Sequence, residues 1–201
     1  MKKLLYLLVI FMFLPLNINA VIVVIDGLRY NIYNSKAYVI KDTGYSGNIT
    51  IPGSITYNNK VYKVIIGSNA FDGCESLLSV SIQEGVEEIG DEAFKGCSFM
   101  EAITLPESIL KIGLWAFQDC TSLSSVSIPH DINQIETGAF AGCSSLATVD
   151  YPEKMTTIGR SLFKDCKSLS SFIISSNVTS IGEYNQEIKG ETNVEIISVI
   201  A

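Results

Sequence analysis

From residue 66 to residue 181 the chain repeats one arrangement of apolar and polar positions every 23 residues. Phe71, Phe94, Phe117, Phe140 and Phe163 form a column without substitution, and Cys74, Cys97, Cys120, Cys143 and Cys166 form a second that uses every cysteine in the chain. Ile66, Ile89, Ile112, Ile135, Ile158 and Ile181 make a third. Two looser columns run beside them: Leu77, Met100, Leu123, Leu146 and Leu169, then Val80, Ile103, Val126, Val149 and Phe172. A single unit of this size cannot bury its own apolar side, so the pattern predicts identical coils stacked in register, each Phe lying on the Phe of its neighbour.

Within a unit the spacing changes. Leu-x-x-Val-x-Ile, completed by Ile82, Leu105, Ile128, Tyr151 and Ile174, is the strand segment of a leucine-rich repeat, and Pro52, Pro106, Pro129 and Pro152 follow it where a strand should end. The interval of three and four between Ala70, Phe71, Cys74 and Leu77 predicts a short helical turn as the return segment. The residue before each cysteine, Gly73, Gly96, Asp119, Gly142 or Asp165, is of a type that readily takes the left-handed conformation ending such a turn. The expected fold is a solenoid, mainly β with short helical turns and parallel strands.

Four segments follow. Residues 1–20 carry Lys2 and Lys3, an apolar run over 4–16 and a short polar stretch, the pattern of a secretory signal peptide, with cleavage expected after Ala20. The bulky Ile18 leaves an uncleaved anchor as the alternative. Residues 21–48 read as antiparallel strands around the turn-prone Asn34-Ser35, an N-terminal β-hairpin cap. Residues 49–182 hold the solenoid, five full repeats plus partial ones, interrupted near Asn58-Asn59 by a small hairpin. In residues 183–201 the repeat decays, because the positions due for Phe and Cys hold Gln186 and Lys189; this is either a degenerate C-terminal cap or a truncated end, with a last strand expected within 193–201.

Charge narrows the partners. Losing Lys2 and Lys3 with the leader takes the formal charge from -7 to -9 without any basic block, which argues against nucleic acid. No run after the leader is long enough to span a membrane. The five cysteines are expected as buried free thiols, since parallel stacking does not aim their side chains at one another. With one histidine, His130, and no Cys-x-x-Cys pair, no metal, cofactor or catalytic set is predicted. Asn48-Ile49-Thr50 and Asn177-Val178-Thr179 are glycosylation acceptor sequences, which makes Asn48 and Asn177 candidate sites.

The outward positions of the strands are small and polar: Ser79, Ser81, Ala102, Thr104, Ser125, Ser127, Thr148, Asp150, Ser171 and Ile173. Ser81, Thr104, Ser127 and Asp150 are therefore candidate protein contacts. So are Leu114 and Trp115, an apolar pair in columns otherwise filled by residues such as Asp91-Glu92 and Thr137-Gly138.

The stretch CTSLSSVSIPHDINQIETGAFAGCSSL, residues 120–146, resembles the BspA-like leucine-rich repeats of surface and secreted proteins. The resemblance implies a secreted or cell-surface protein-binding scaffold, with adhesion or recognition of host or matrix proteins as its setting. Two other readings stay open: a structural array element that assembles with copies of itself through the C-terminal edge, and a secreted inhibitor of another protein.

Overall fold

The computed structural model describes residues 20–174, 177–182 and 195–198. The expected leader lies outside them, apart from Ala20.

The N-terminal segment forms β1 (Val21–Ile25), β2 (Leu28–Tyr33) and β3 (Lys36–Val39), an antiparallel meander. Both of its turns have two residues with positive φ, Asp26 (50°) with Gly27 (80°) and Asn34 (48°) with Ser35 (62°). That combination matches the right-handed twist of the flanking strands, which is why Asn and Gly are found in two-residue hairpins. β4 (Gly47–Ile51) then opens the stack, and β5 (Ser54–Tyr57) with β6 (Lys60–Ile66) forms the small hairpin around Asn58 (47°) and Asn59 (58°). β3 pairs in parallel with β6, so the meander is continuous with the solenoid.

From β6 onward each coil contributes two strands. One column is β4, β7 (Leu77–Ile82), β9 (Ala102–Thr104), β11 (Ser125–Ser127), β13 (Thr148–Asp150) and β15 (Ser171–Ile174). The other is β6, β8 (Glu88–Ile89), β10 (Lys111–Ile112), β12 (Gln134–Ile135), β14 (Thr157–Ile158) and β16 (Ser180–Ile181). Registers such as Val80 with Ile103 and Ile112 with Ile135 are parallel and shifted by one repeat. The last strand expected from the sequence is present as β17 (Glu195–Ser198), parallel to β15.

The return segment differs from expectation, for no helix occurs among the described residues. It is a run of tight turns that take φ positive twice, at Asn69, Glu92, Trp115, Gly138 and Ser161, and again at Gly73, Gly96, Asp119, Gly142 and Asp165. The hydrogen bonds explain why. In one coil the amides of Glu92, Phe94 and Gly96 donate forward to the oxygens of Leu114, Ala116 and Gln118 at 2.8, 2.7 and 2.8 Å. The amides between them, Ala93, Lys95 and Cys97, close turns onto Gly90, Glu92 and Phe94 in their own coil. With every second amide committed to the next coil, an i to i−4 helical ladder has no donors left.

The core is the phenylalanine column. Successive rings from Phe71 to Phe163 lie 4.8, 5.3, 5.1 and 5.8 Å apart with interplanar angles of 6°, 3°, 6° and 15°. Each buried ring contributes about 1.5 to 3 kcal/mol by leaving water. Tyr45 closes the column at the cap, its ring 4.7 Å from Phe71 and its hydroxyl donating to the oxygen of Ile40. The cysteines are free and buried. Sγ of Cys97, Cys120, Cys143 and Cys166 donates to the main-chain oxygen of Phe71, Phe94, Phe117 and Phe140 in the preceding coil at 3.1 to 3.2 Å. Burial pushes Cys97 and Cys166 up to about 12 and raises Cys120 and Cys143 well above the ordinary thiol value.

Glycine brings the second strand column close. A Cβ at Gly90 would lie 2.6 Å from the Ser68 nitrogen, and one at Gly113 would lie 2.6 Å from the Asp91 nitrogen. The same column holds Glu136, and there the stack widens: a Cβ at Gly159 would clear the Ile135 oxygen by 3.4 Å, β12 and β14 belong to separate sheets, and the next ring step is the longest of the four.

Charge is uneven along the axis. Residues 72–94 hold seven acids, Asp72, Glu75, Glu84, Glu87, Glu88, Asp91 and Glu92, and neither Lys nor Arg. Cations reach this layer from both sides, Lys41 to Asp72 at 2.5 Å and Lys63 to Glu87 from below and Lys111 to Glu88 at 3.3 Å from above, while Lys95 meets Glu92 at 3.0 Å within one turn.

Candidate interaction surface

The strand rule of alternate sides, applied to a buried row such as Val80, Ile103, Val126 and Val149, fixes which residues must face out. Ser81 pairs in register with Thr104 and with Thr50 on its other side, and Ser127 pairs with Asp150; all five are exposed. These candidates therefore share one face, in two register-matched segments, because β9 ends one sheet and β11 begins another. Short side chains leave the face shallow, and a rigid ladder holds them in rows.

Leu114 and Trp115 stand elsewhere, on the return turn beyond β10. Leu114 is half-buried and Trp115 is 37 % exposed. Trp115 occupies a left-handed position, with φ of 51°. Its indole lies over the next coil, so that a Cβ on Gly138 would meet Cδ1 at 2.3 Å, and Lys95 Nζ sits 5.7 Å from the ring centroid. The two groups of candidates do not converge.

Asn48 is exposed on β4 and its Oδ1 accepts from the Ser79 hydroxyl at 2.7 Å. Asn177 is exposed and its Nδ2 donates to the Glu153 oxygen at 3.0 Å. His130 lies on the surface 3.6 Å from Glu107, within a ladder in which each residue's amide donates to a carboxylate one coil back, Glu107 to Glu84 and His130 to Glu107, both at 3.1 Å. Among the described residues no group of three or more His, Cys, Asp or Glu is arranged to hold a metal, and no helix is long and apolar enough to cross a membrane.

Two exposed apolar residues at the entrance to the strand face escape the sequence reading. Phe99 is 60 % exposed and Leu78 is 47 % exposed, on adjacent coils; the amide of Glu101 donates to the Leu78 oxygen at 2.9 Å. Both interrupt their columns, since Phe99 aligns with Ser76, Ser122, Ser145 and Ser168, and Leu78 with Glu101, Ser124, Ala147 and Ser170. Comparing columns outside the core would have found them.

A family model for the BspA type leucine rich repeat region matches residues 64–187 in six copies, more than half of the chain. The chain belongs to that family. Among solved structures, this BspA-type chain is similar to a leucine rich cell surface protein from Faecalibacterium prausnitzii, with 28% identity and a TM-score of 0.70 over 81% of this chain and 50% of that one. It is also similar to the leucine rich repeat protein of T. pallidum, with 26% identity, 77% and 78% coverage and a TM-score of 0.67. A third is a leucine-rich repeat protein from Bacteroides ovatus, with 30% identity, 79% and 49% coverage and a TM-score of 0.58. The chain spans about half the length of the first and third of these. No curated protein matches it.

Proposed function

We propose that this protein is secreted or displayed at the cell surface and acts as a scaffold that binds another extracellular protein, without catalysis, in the setting of adhesion or of host or matrix recognition. The observation that carries the reading is the division of labour between columns: the Phe, Cys and Ile columns hold the coils, while the register-matched face of Ser81, Thr104, Ser127 and Asp150 is exposed and free to vary. A flat face of short polar groups suits an extended or flat partner, and the energy of binding has to come from larger side chains at its margin. Phe99 and Leu78 supply that margin, and Trp115 supplies a second contact on the return turn. The F. prausnitzii relative is described as a cell surface protein, which supports the location.

The test is capture of extracellular proteins on the immobilised chain, with identification of what is bound, followed by the same capture with Phe99→Ser and Thr104→Arg. Both positions are exposed, so melting should be unchanged while the captured partner is lost. Retention of that partner by both variants overturns the strand face as the binding surface. Trp115→Ser tests the second contact in the same way.

A further inference from the structure

Among the described residues, the outermost strand of the cap has an open edge. β1 is the terminal strand of its sheet and is paired on one side, with β2. The closing pair of the hairpin, Ile25 with Leu28, flanks the two-residue Asp26-Gly27 turn, so these two exchange hydrogen bonds, as do Val23 with Tyr30 and Val21 with Ile32. Alternation then directs the N–H and C=O groups of Ile22 and Val24 away from the sheet, toward the open side. The side chains of those same two residues are 60 % and 66 % exposed. The strand VIVVI carries no charge, proline or bulge, the devices that normally keep such an edge from pairing.

We propose that two copies of this chain join through β1, antiparallel, about a two-fold axis at Val23. In that register Ile22 lies opposite Val24 of the second copy on both sides of the axis. The four outward-pointing backbone groups of each strand then meet their complements, and Ile22 and Val24 of the two copies form one apolar cluster. The symmetry of the edge names a second copy as the occupant, because β1 reversed about Val23 offers each outward N–H and C=O of Ile22 and Val24 its complement and sets the same exposed apolar side chains against one another; charge does not oppose it locally. Once residues 1–20 are removed the formal charge is -9 and two chains repel over most of their surface, whereas the side chains of β1 are neutral and the first charged side chain beyond it, Asp26, falls one position past Val21, the first residue of the processed second copy. The two Asp26 carboxylates are then six residues apart along the strand, about 20 Å. Within the paired strands the symmetric register therefore brings no like-charged side chains together. This surface is distinct from the C-terminal edge expected from the sequence.

The test is sedimentation velocity across a dilution series on the chain as its host processes it. The expected result is a monomer that becomes a dimer with rising concentration. The variant carrying both Ile22→Lys and Val24→Lys places lysine opposite lysine and should remain monomeric throughout, with its melting temperature retained because both side chains already face water. The variant carrying Ile22→Lys and Val24→Glu places lysine opposite glutamate and should recover the dimer. A wild-type chain that is monomeric at every concentration overturns the proposal, whether residues 1–19 or another protein take the edge. Equal dimerisation of the double-lysine variant, or a Lys/Glu variant as monomeric as it, overturns it as well.

Discussion

The Sγ of Cys120 donates a 3.1 Å hydrogen bond to the main-chain oxygen of Phe94, an oxygen that already accepts the amide of Cys97. The cysteine column thus belongs to the same fabric as the phenylalanine column: one residue supplies the ring that stacks, and the other ties its coil to the ring's backbone one coil back. A thiol suits this place because it is small, tolerates burial and donates weakly.

Because these thiols are held neutral, they are expected to ignore thiol reagents in the native state and to react together on unfolding. Stability should also fall at alkaline pH. A thiol whose folded pKa is raised contributes fully below the ordinary value of 9.0, and its contribution declines as pH climbs toward about 12, the folded value for Cys97 and Cys166. Each such group adds a slope of about 1.4 kcal/mol per pH unit in that window. Melting temperature against pH, for wild type and for a variant with all five cysteines replaced by serine, measures it. The serine variant should lose much of the alkaline decline, leaving the part due to Tyr30 and Tyr151, which burial pushes up to about 12.

Phe117 lies between Phe94 and Phe140 at 5.3 and 5.1 Å. Phe117→Ala is expected to cost about 3 to 5 kcal/mol. Phe117→Asp should cost more, because an unpaired carboxylate enters the column. Hydrogen exchange should then show lost protection in both neighbouring coils and not in the mutated coil alone. Confinement to one coil would mean that the rings are stacked without being coupled.

The fit of Trp115 on Gly138 is a pairwise prediction. Gly138→Ala puts a methyl 2.3 Å from the indole at a residue with φ of 65°, so both collision and strain oppose it. In a Trp115→Asn background the collision is gone and the strain alone, about 1 to 2 kcal/mol, should remain. Asn is the right replacement because Asn69 already takes the left-handed conformation in this column. Urea unfolding of the two single variants and the double variant gives the coupling.

The glycine column makes an unequal forecast. Gly113→Ala forces a Cβ against the Asp91 nitrogen at 2.6 Å and should destabilise strongly, whereas Gly159→Ala meets the Ile135 oxygen at 3.4 Å and should be close to neutral. Similar losses at both sites, measured by thermal melting, would contradict the widening seen opposite Glu136.

Much of this architecture is readable without coordinates. An unbroken Phe or Cys column can only be a shared interior, and Asn34-Ser35 and Asn58-Asn59 name their turns because few residues accept positive φ. The return segment is harder. A spacing of three and four suits a helix and a run of turns equally well, and the choice is made by amides such as that of Phe94 bonding across coils, which one coil's sequence does not display. The glycine column is hidden by Glu136, a single substitution that conceals a rule about backbone distance. The candidate surface is least legible because exposed positions carry no packing constraint that a repeat would display, and Phe99 is visible only as a departure from serine.

The seven-acid coil at residues 72–94 gives the stack an address system. Three of its lysine partners, Lys41 and Lys63 on one side and Lys111 on the other, belong to its neighbours, while Lys95 meets Glu92 within their shared turn, so this layer finds most of its countercharge in the two coils that flank it. The shared rings would let units be shuffled like identical bricks; the ionic mortar does not, and a rearranged array would have to leave that anionic layer facing strangers.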